Sequence, residues 1–334
     1  MRIGVRTEPD EKLVQFYSTY YDILRTPDFD ESSRLLKPKH GLHQLGMPGR
    51  RICRFCGKQE GEVEFKKIAH AFPECIGNKA LKTNYECDTC NDFFGKTIEN
   101  DYANYFNLFH SIMQISGKNG EIKCGFKVPC AKRTDECMRY CINILYKDNQ
   151  LQIHQCKEVS EQYISFIGDS VTISKPIGNC CPIAVFKAIV KTAITVMPIE
   201  EIIMFDKTIQ WLLNPEHSNI YNSKKLLVRY QMIPGFNVTK YPHYFLYRRK
   251  RDAWNVPYML FNLTYGCFSL LIEVPRDNEI NTKFEKIPFP PIPFYTSTED
   301  VWDLSDNLIT KNQMHSIVLN YESTIDCTDE YSNQ

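Results

Sequence analysis

Two Cys-x-x-Cys pairs, Cys53/Cys56 and Cys87/Cys90, constrain this chain more than any other feature of its sequence. Each pair turns two thiols towards one point, and thirty residues separate the pairs. Two such knuckles complete a tetrahedral four-sulfur shell of the kind that holds zinc. Gly57 follows the first knuckle, and a helix is expected after the second. A thioredoxin-like redox site would need only one such pair, on a βαβ frame. The chain holds 14 cysteines in 334 residues, too sparse for a disulfide scaffold of this length. Closely spaced thiols in a reducing compartment therefore point to metal.

Between the knuckles, Val63 to Ala69 alternates and predicts a strand with His70 at its end. A proline-broken loop follows, and Asn91 comes directly after Cys90. A zinc clamp would hold the following helix against the hairpin and bring Asn91 near His70.

The combination AHxxPxxxGN…CDxCNxxFG resembles the HNH, or ββα-metal, endonucleases, and among them the zinc-knuckle members. The likeness runs from Cys53 to about Phe106. It implies structural zinc on Cys53, Cys56, Cys87 and Cys90. It further implies His70 as the general base that activates water, and Asn91 as a ligand of one catalytic Mg²⁺ or Mn²⁺. Asn84 is a match for the middle asparagine that orients the histidine. The implied reaction is hydrolysis of DNA phosphodiesters to 5′-phosphate and 3′-hydroxyl ends. The chemistry suits these residue types. Imidazole is a base fitted to neutral pH, and a hard ion on oxygen ligands neutralises charge on phosphorus. A closed four-sulfur zinc has no open position for that work.

One position departs from the family. Ala69 stands where an Asp, Glu or His usually precedes the histidine. Glu74 is the first candidate for the missing metal ligand, Glu99 the second and Glu64 the third. A catalytically silent zinc module that only binds nucleic acid is the alternative this departure supports. An RNA-directed nuclease, or a subunit active only within a larger defence complex, is a further alternative.

Forty Lys and Arg balance forty Asp and Glu, so any nucleic-acid surface must come from local segregation. From Ser33 to Lys82 eleven basic residues face four acids, an excess that phosphate contacts could use. Lys96 lies one turn beyond Asn91 and could reach the phosphate. A second basic run, Arg248 to Arg251, sits between Tyr247 and Trp254. It reads equally as a strand grip by charge and stacking or as a solubilised hairpin tip.

The expected architecture is α+β: a zinc-stabilised ββα-metal nuclease module joined to a larger mixed α+β C-terminal domain. The boundaries are a lead-in with one helix over 1–50, the module over 51–117 and the second domain over 118–334. Leu13 to Leu24 predicts a helix in the lead-in. Residues 120–180 read as strands. Pro182 opens one helix and Pro198 another, and a β meander follows. Cys124, Cys130, Cys137 and Cys141 make no Cys-x-x-Cys pair, and either buried thiols or a second metal site would account for them. The FPPIPFYT stretch reads as extended and the last dozen residues as frayed. With no apolar run of 18 residues and no apolar leader, the expected setting is cytoplasmic and away from membranes. The expected partner is double-stranded DNA. By analogy with bacterial and phage-borne nucleases, a protein from a defence system is a second.

Overall fold

The first third of the chain holds one helix, four short strands and three further helices. It holds α1 (Glu11–Tyr20), β1 (Tyr21–Arg25), β2 (His43–Leu45), β3 (Ala69–His70), β4 (Leu81–Thr83), α2 (Asp88–Lys96), α3 (Ile98–Tyr105) and α4 (Asn107–Ile112). Strands dominate next: β5 (Gly125–Phe126), β6 (Ile142–Lys147), β7 (Gln150–Gln155), β8 (Ile164–Ile167) and β9 (Ser170–Pro176). Then come α5 (Pro182–Val196), α6 (Ile199–Ile202) and α7 (Asp206–Leu213). The chain continues through β10 (Leu227–Met232), β11 (Thr239–Arg249), β12 (Met259–Gly266), β13 (Phe268–Glu273), β14 (Glu299–Asp303) and β15 (Met314–Asn320). This computed structural model describes residues 10–25, 43–45, 49, 51–78, 81–115, 125–126, 142–147, 150–155, 160–221, 224–232, 239–276, 284–290, 299–307 and 313–320. Cys124, Cys130, Cys137 and Cys141, most of the FPPIPFYT stretch and the chain's last dozen residues lie outside these.

The fold is mixed α+β, in two compact units. One comprises Met1–Ile122 with Gly178–Thr310, the other Lys123–Ile177 with Lys311–Gln334. In the first, an antiparallel sheet runs β1-β11-β12-β13-β10-β14. Its β12 and β13 are almost wholly buried, so their sequences run apolar without alternation. A small sheet β2-β4-β3 carries the hairpin of the knuckle region. In the second unit, β15-β9-β8 and β5-β6-β7 form two three-stranded sheets.

Helix α5 is the centre of the first unit: all fifteen of its residues are buried. Pro182 occupies its first turn, where a missing amide hydrogen costs nothing, and Pro198 stops it. Lys187 and Lys191 are buried with it and find partners, as a buried ammonium must. Lys187 donates to the Asn214 and Glu216 carbonyls at 2.9 and 3.3 Å.

Three local expectations change. The helix expected to Leu24 ends at Tyr20, because Tyr21–Arg25 pairs with β11 at the sheet edge. The helix opening at Pro198 breaks into α6, a 3-10 turn over Ile203–Phe205 and α7. The strand expected over Val63–Ala69 shrinks to Ala69–His70, since the amides of Lys66 and Lys67 are taken by the Asp88 carboxylate.

Candidate metal centre and nuclease site

The four knuckle sulfurs converge. The ligand atoms of Cys53, Cys56, Cys87 and Cys90 all lie within 4.8 Å of one another, and Cys56 Sγ is 3.8 Å from Cys87 Sγ. Zinc–sulfur bonds of about 2.3 Å in a tetrahedron give sulfur–sulfur edges of about 3.8 Å, so the set fits zinc. Cys53, Cys87 and Cys90 are buried. The Cys53 thiol is drawn down to about 5, chiefly by its hydrogen bond with Cys90 and against the effect of burial. A thiolate is the species that binds metal.

Local backbone chemistry explains both knuckles. Gly57 takes φ +72°, a conformation that a side chain resists, and its amide donates to the Cys53 carbonyl at 2.9 Å. The Cys53 amide donates to the Lys58 carbonyl at 2.8 Å. In the second knuckle Cys87 caps α2 and Cys90 stands in its first turn. The Asn91 amide closes that turn on the Cys87 carbonyl at 2.9 Å.

The ββα arrangement follows. Strands β3 and β4 pair antiparallel, with His70 opposite Lys82, and α2 comes next. Asp88, inside the second knuckle, accepts from the Lys66 and Lys67 amides at 3.1 and 3.0 Å. Lys67 also pairs with Asp92, the residue after Asn91. The first turn of α2 is thereby stapled to the run that leads into His70.

His70 is half-buried, and its Nδ1 faces Glu74 Oε1 at 3.4 Å. Glu74 belongs to a 3-10 turn, Glu74–Ile76, closed by Gly77 at φ +86°. The buried Asn78 holds this loop: its Nδ2 donates to the Phe72 and Leu81 carbonyls at 3.1 and 3.0 Å, and its Oδ1 accepts from the Leu81 amide at 3.0 Å. Asn84 lies beyond β4, half-buried, and Asn91 is half-buried on α2. Sequence reasoning gave Asn78 no role; its place directly after Gly77 was the available signal.

The other candidate acids go elsewhere. Helix α2 ends at Lys96, so Glu99 sits on α3 rather than on the same helix as Asn91, and it binds Lys191 Nζ at 2.9 Å. Glu64 is exposed and pairs with Lys66, outside any strand shared with His70. Ala69 is buried, so its methyl group fills the family's acidic position without reaching solvent.

Helix α5 braces both knuckles, a feature the sequence did not signal. Arg54, between the first two cysteines, donates through Nη1 to the carbonyls of Ile194, Thr195 and Met197 at 2.6, 2.9 and 2.8 Å. Its positive charge thus meets the negative end of the helix dipole. Lys191 Nζ lies 2.9 Å from both Glu86 Oε2, beside Cys87, and Glu99 Oε1. Burial alone would lower the Lys191 ammonium, and the two carboxylates overcome it and hold it above its ordinary value. Burial raises the Glu86 carboxyl to about 7 against the pull of Lys191.

Residues 53–107 match the family model of HNH endonucleases. This segment is similar to HNH endonuclease modules and carries a four-cysteine centre able to hold zinc. No curated protein and no solved structure matches the chain. Among the described residues no helix is long and apolar enough to cross a membrane.

Proposed function

We propose that the chain is a metal-dependent endonuclease that hydrolyses DNA phosphodiester bonds at His70. The observation that carries this reading is the His70 imidazole facing the Glu74 carboxylate at 3.4 Å, on a hairpin stapled to the four-cysteine centre. The Glu74 carboxylate, 3.4 Å from Nδ1, favours by its charge the tautomer with the proton on that nitrogen. That leaves Nε2 with the lone pair that takes a proton from the attacking water. Asn78 fixes the loop between His70 and β4 and so limits the ring's excursions. The zinc on Cys53, Cys56, Cys87 and Cys90 is structural, since four sulfurs close its shell.

The oxygen donors of Asn91 and Glu74 fit a hard ion such as Mg²⁺ or Mn²⁺. When bound there, such an ion supplies neutralisation of charge on the phosphate and the leaving oxygen. Lys96, exposed at the end of α2, adds a cation for the phosphate backbone.

A plasmid-nicking assay with Mg²⁺, Mn²⁺ or Ni²⁺ tests the reading. His70→Ala should abolish nicking and leave zinc content and DNA binding intact. Nicking that survives in His70→Ala would sink it. A wild type inert with all three ions favours the silent zinc module, the reading that the buried Ala69 supports. Total RNA as substrate separates the RNA-directed alternative.

A further inference from the structure

Trp254 is 77% exposed, yet the loop that carries it is pinned on both sides. Its neighbours Ala253 and Val256 are buried in the core cluster with Tyr17, Tyr21 and Tyr247. The Ala253 amide donates to the Lys250 carbonyl at 3.1 Å, and the Lys250 amide to the Tyr20 carbonyl at 2.9 Å. A large indole held outward by a fixed backbone is a surface that water disfavours and a flat partner would cover.

Cations flank the ring. Arg249 Cζ lies 5.2 Å from the Trp254 ring centroid and 5.7 Å from that of Tyr258. Arg276 Cζ stands 3.9 Å from the Tyr258 ring centroid. Arg251 is exposed beside them, and Lys250 anchors to the Ser18 carbonyl at 2.5 Å. Arg248 is the neighbour that does not contribute, because Glu201 and Asp22 neutralise it. An alternation of guanidinium planes and aromatic faces matches a nucleic-acid strand, whose phosphates meet the cations and whose unpaired bases stack on the rings. Duplex bases are already stacked on one another and offer no free face to an indole.

Strand β11 links this tip to the nuclease loop. Phe72, two residues after His70, packs edge-on against Tyr244 of β11 at 5.2 Å between ring centroids. From Tyr244 to Arg249 the strand advances five residues, about 17 Å at ~3.4 Å per residue, and the odd step places the two side chains on opposite faces of the sheet.

We infer that the Arg249–Trp254–Tyr258–Arg276 row binds an unpaired stretch of the DNA strand outside the segment cleaved at His70, so that the substrate carries a single-stranded segment. This rests on the nuclease reading only for the identity of the second site. The test uses the full zinc-loaded chain without Mg²⁺ or Mn²⁺. It is titrated with a blunt duplex and with the same duplex bearing a single-stranded tail of about twelve nucleotides, within the usual range for stacking grooves. Of three tryptophans, Trp211 is buried and Trp302 half-buried, so quenching by the tail reports chiefly on Trp254.

The tail should tighten binding and quench the fluorescence. Trp254→Ala should lose about tenfold or more in affinity for the tailed duplex and nothing for the blunt one, while Trp254→Phe keeps most of it. An exposed ring can be removed without unfolding, and the thermal melt of each variant checks this. Equal affinity of Trp254→Ala and wild type for the tail, or equal loss on both substrates, overturns the inference. Quenching without His70-dependent nicking overturns the nuclease reading alone. Nicking without quenching overturns this one alone.

Discussion

Arg54 Nη1 lies 2.8 Å from the Met197 carbonyl, so the first cysteine knuckle caps the C-terminus of a helix far along the chain. Two more carbonyls of that terminus share the same nitrogen. Arg54→Lys keeps the charge on a shorter side chain and loses the guanidinium plane that lies over the Tyr85 ring at 3.9 Å. We expect a loss of about 1–3 kcal/mol in urea unfolding. Arg54→Ala should lose more. A variant as stable as wild type would show that the cap is dispensable.

The Lys191 pairs with Glu86 and Glu99 should be costly to break and cheap to replace. Lys191→Met leaves the buried Glu86 carboxylate alone and is expected to cost about 3–5 kcal/mol. Adding Glu86→Gln should restore part of that loss. A double-mutant cycle by chemical denaturation measures the coupling, and additivity of the two changes would refute it.

Metal analysis should find one zinc per chain on the four-cysteine centre. Serine at Cys53, Cys56, Cys87 or Cys90 should remove it and unfold the hairpin, since structural zinc contributes roughly 10–16 kcal/mol in small modules. Cys75→Ser is the control: Cys75 lies outside the cluster, and burial keeps its thiol well above the usual value. Retention of zinc in the cluster variants would disprove the assignment.

Glu74 has two roles open to it, and kinetics separates them. If it acts only through its charge beside His70 Nδ1, replacement by Ala should lower kcat by about ten- to a hundredfold with the half-saturating Mn²⁺ concentration unchanged. A marked rise in that concentration as well would show that it also holds the ion.

Stability in acid should depend on His110. The ring is buried, its Nε2 is 3.3 Å from the Tyr265 hydroxyl, and burial pushes it down to about 3 from an unfolded value of about 6.5. The folded state therefore holds fewer protons than the unfolded one across that window. Its contribution is full above about pH 6.5 and is lost as pH falls towards 3, by at most ~1.4 kcal/mol per pH unit. His110→Gln should flatten the fall in unfolding free energy between these limits. An unchanged slope would mean that other groups, His217 and His315 among them, set it.

The sulfur cluster and the hairpin histidine were legible because close spacing in sequence forces closeness in space. The helix from Pro182 was legible for a similar reason: a proline at its start and apolar residues at helical spacing act locally. Glu99 falls on a separate helix because α2 stops at Lys96, just past Gly95. The strand before His70 failed because Asp88, a residue far downstream, claims the amides that a ladder would have used. Lys191 and Arg54 were invisible as braces for the same physical reason. Periodicity says that a residue is buried; it does not say which distant partner satisfies its charge.

The brace from α5 also bears on how the HNH-like segment can be handled. Residues 53–107 carry Glu86 and Glu99 without the ammonium between them, and Arg54 without the carbonyls it tethers. Excised or grafted into another scaffold, they would present stranded charges in place of a finished interior. The segment is not a portable cartridge, and expression of a minimal version should yield aggregates unless the distant helix travels with it.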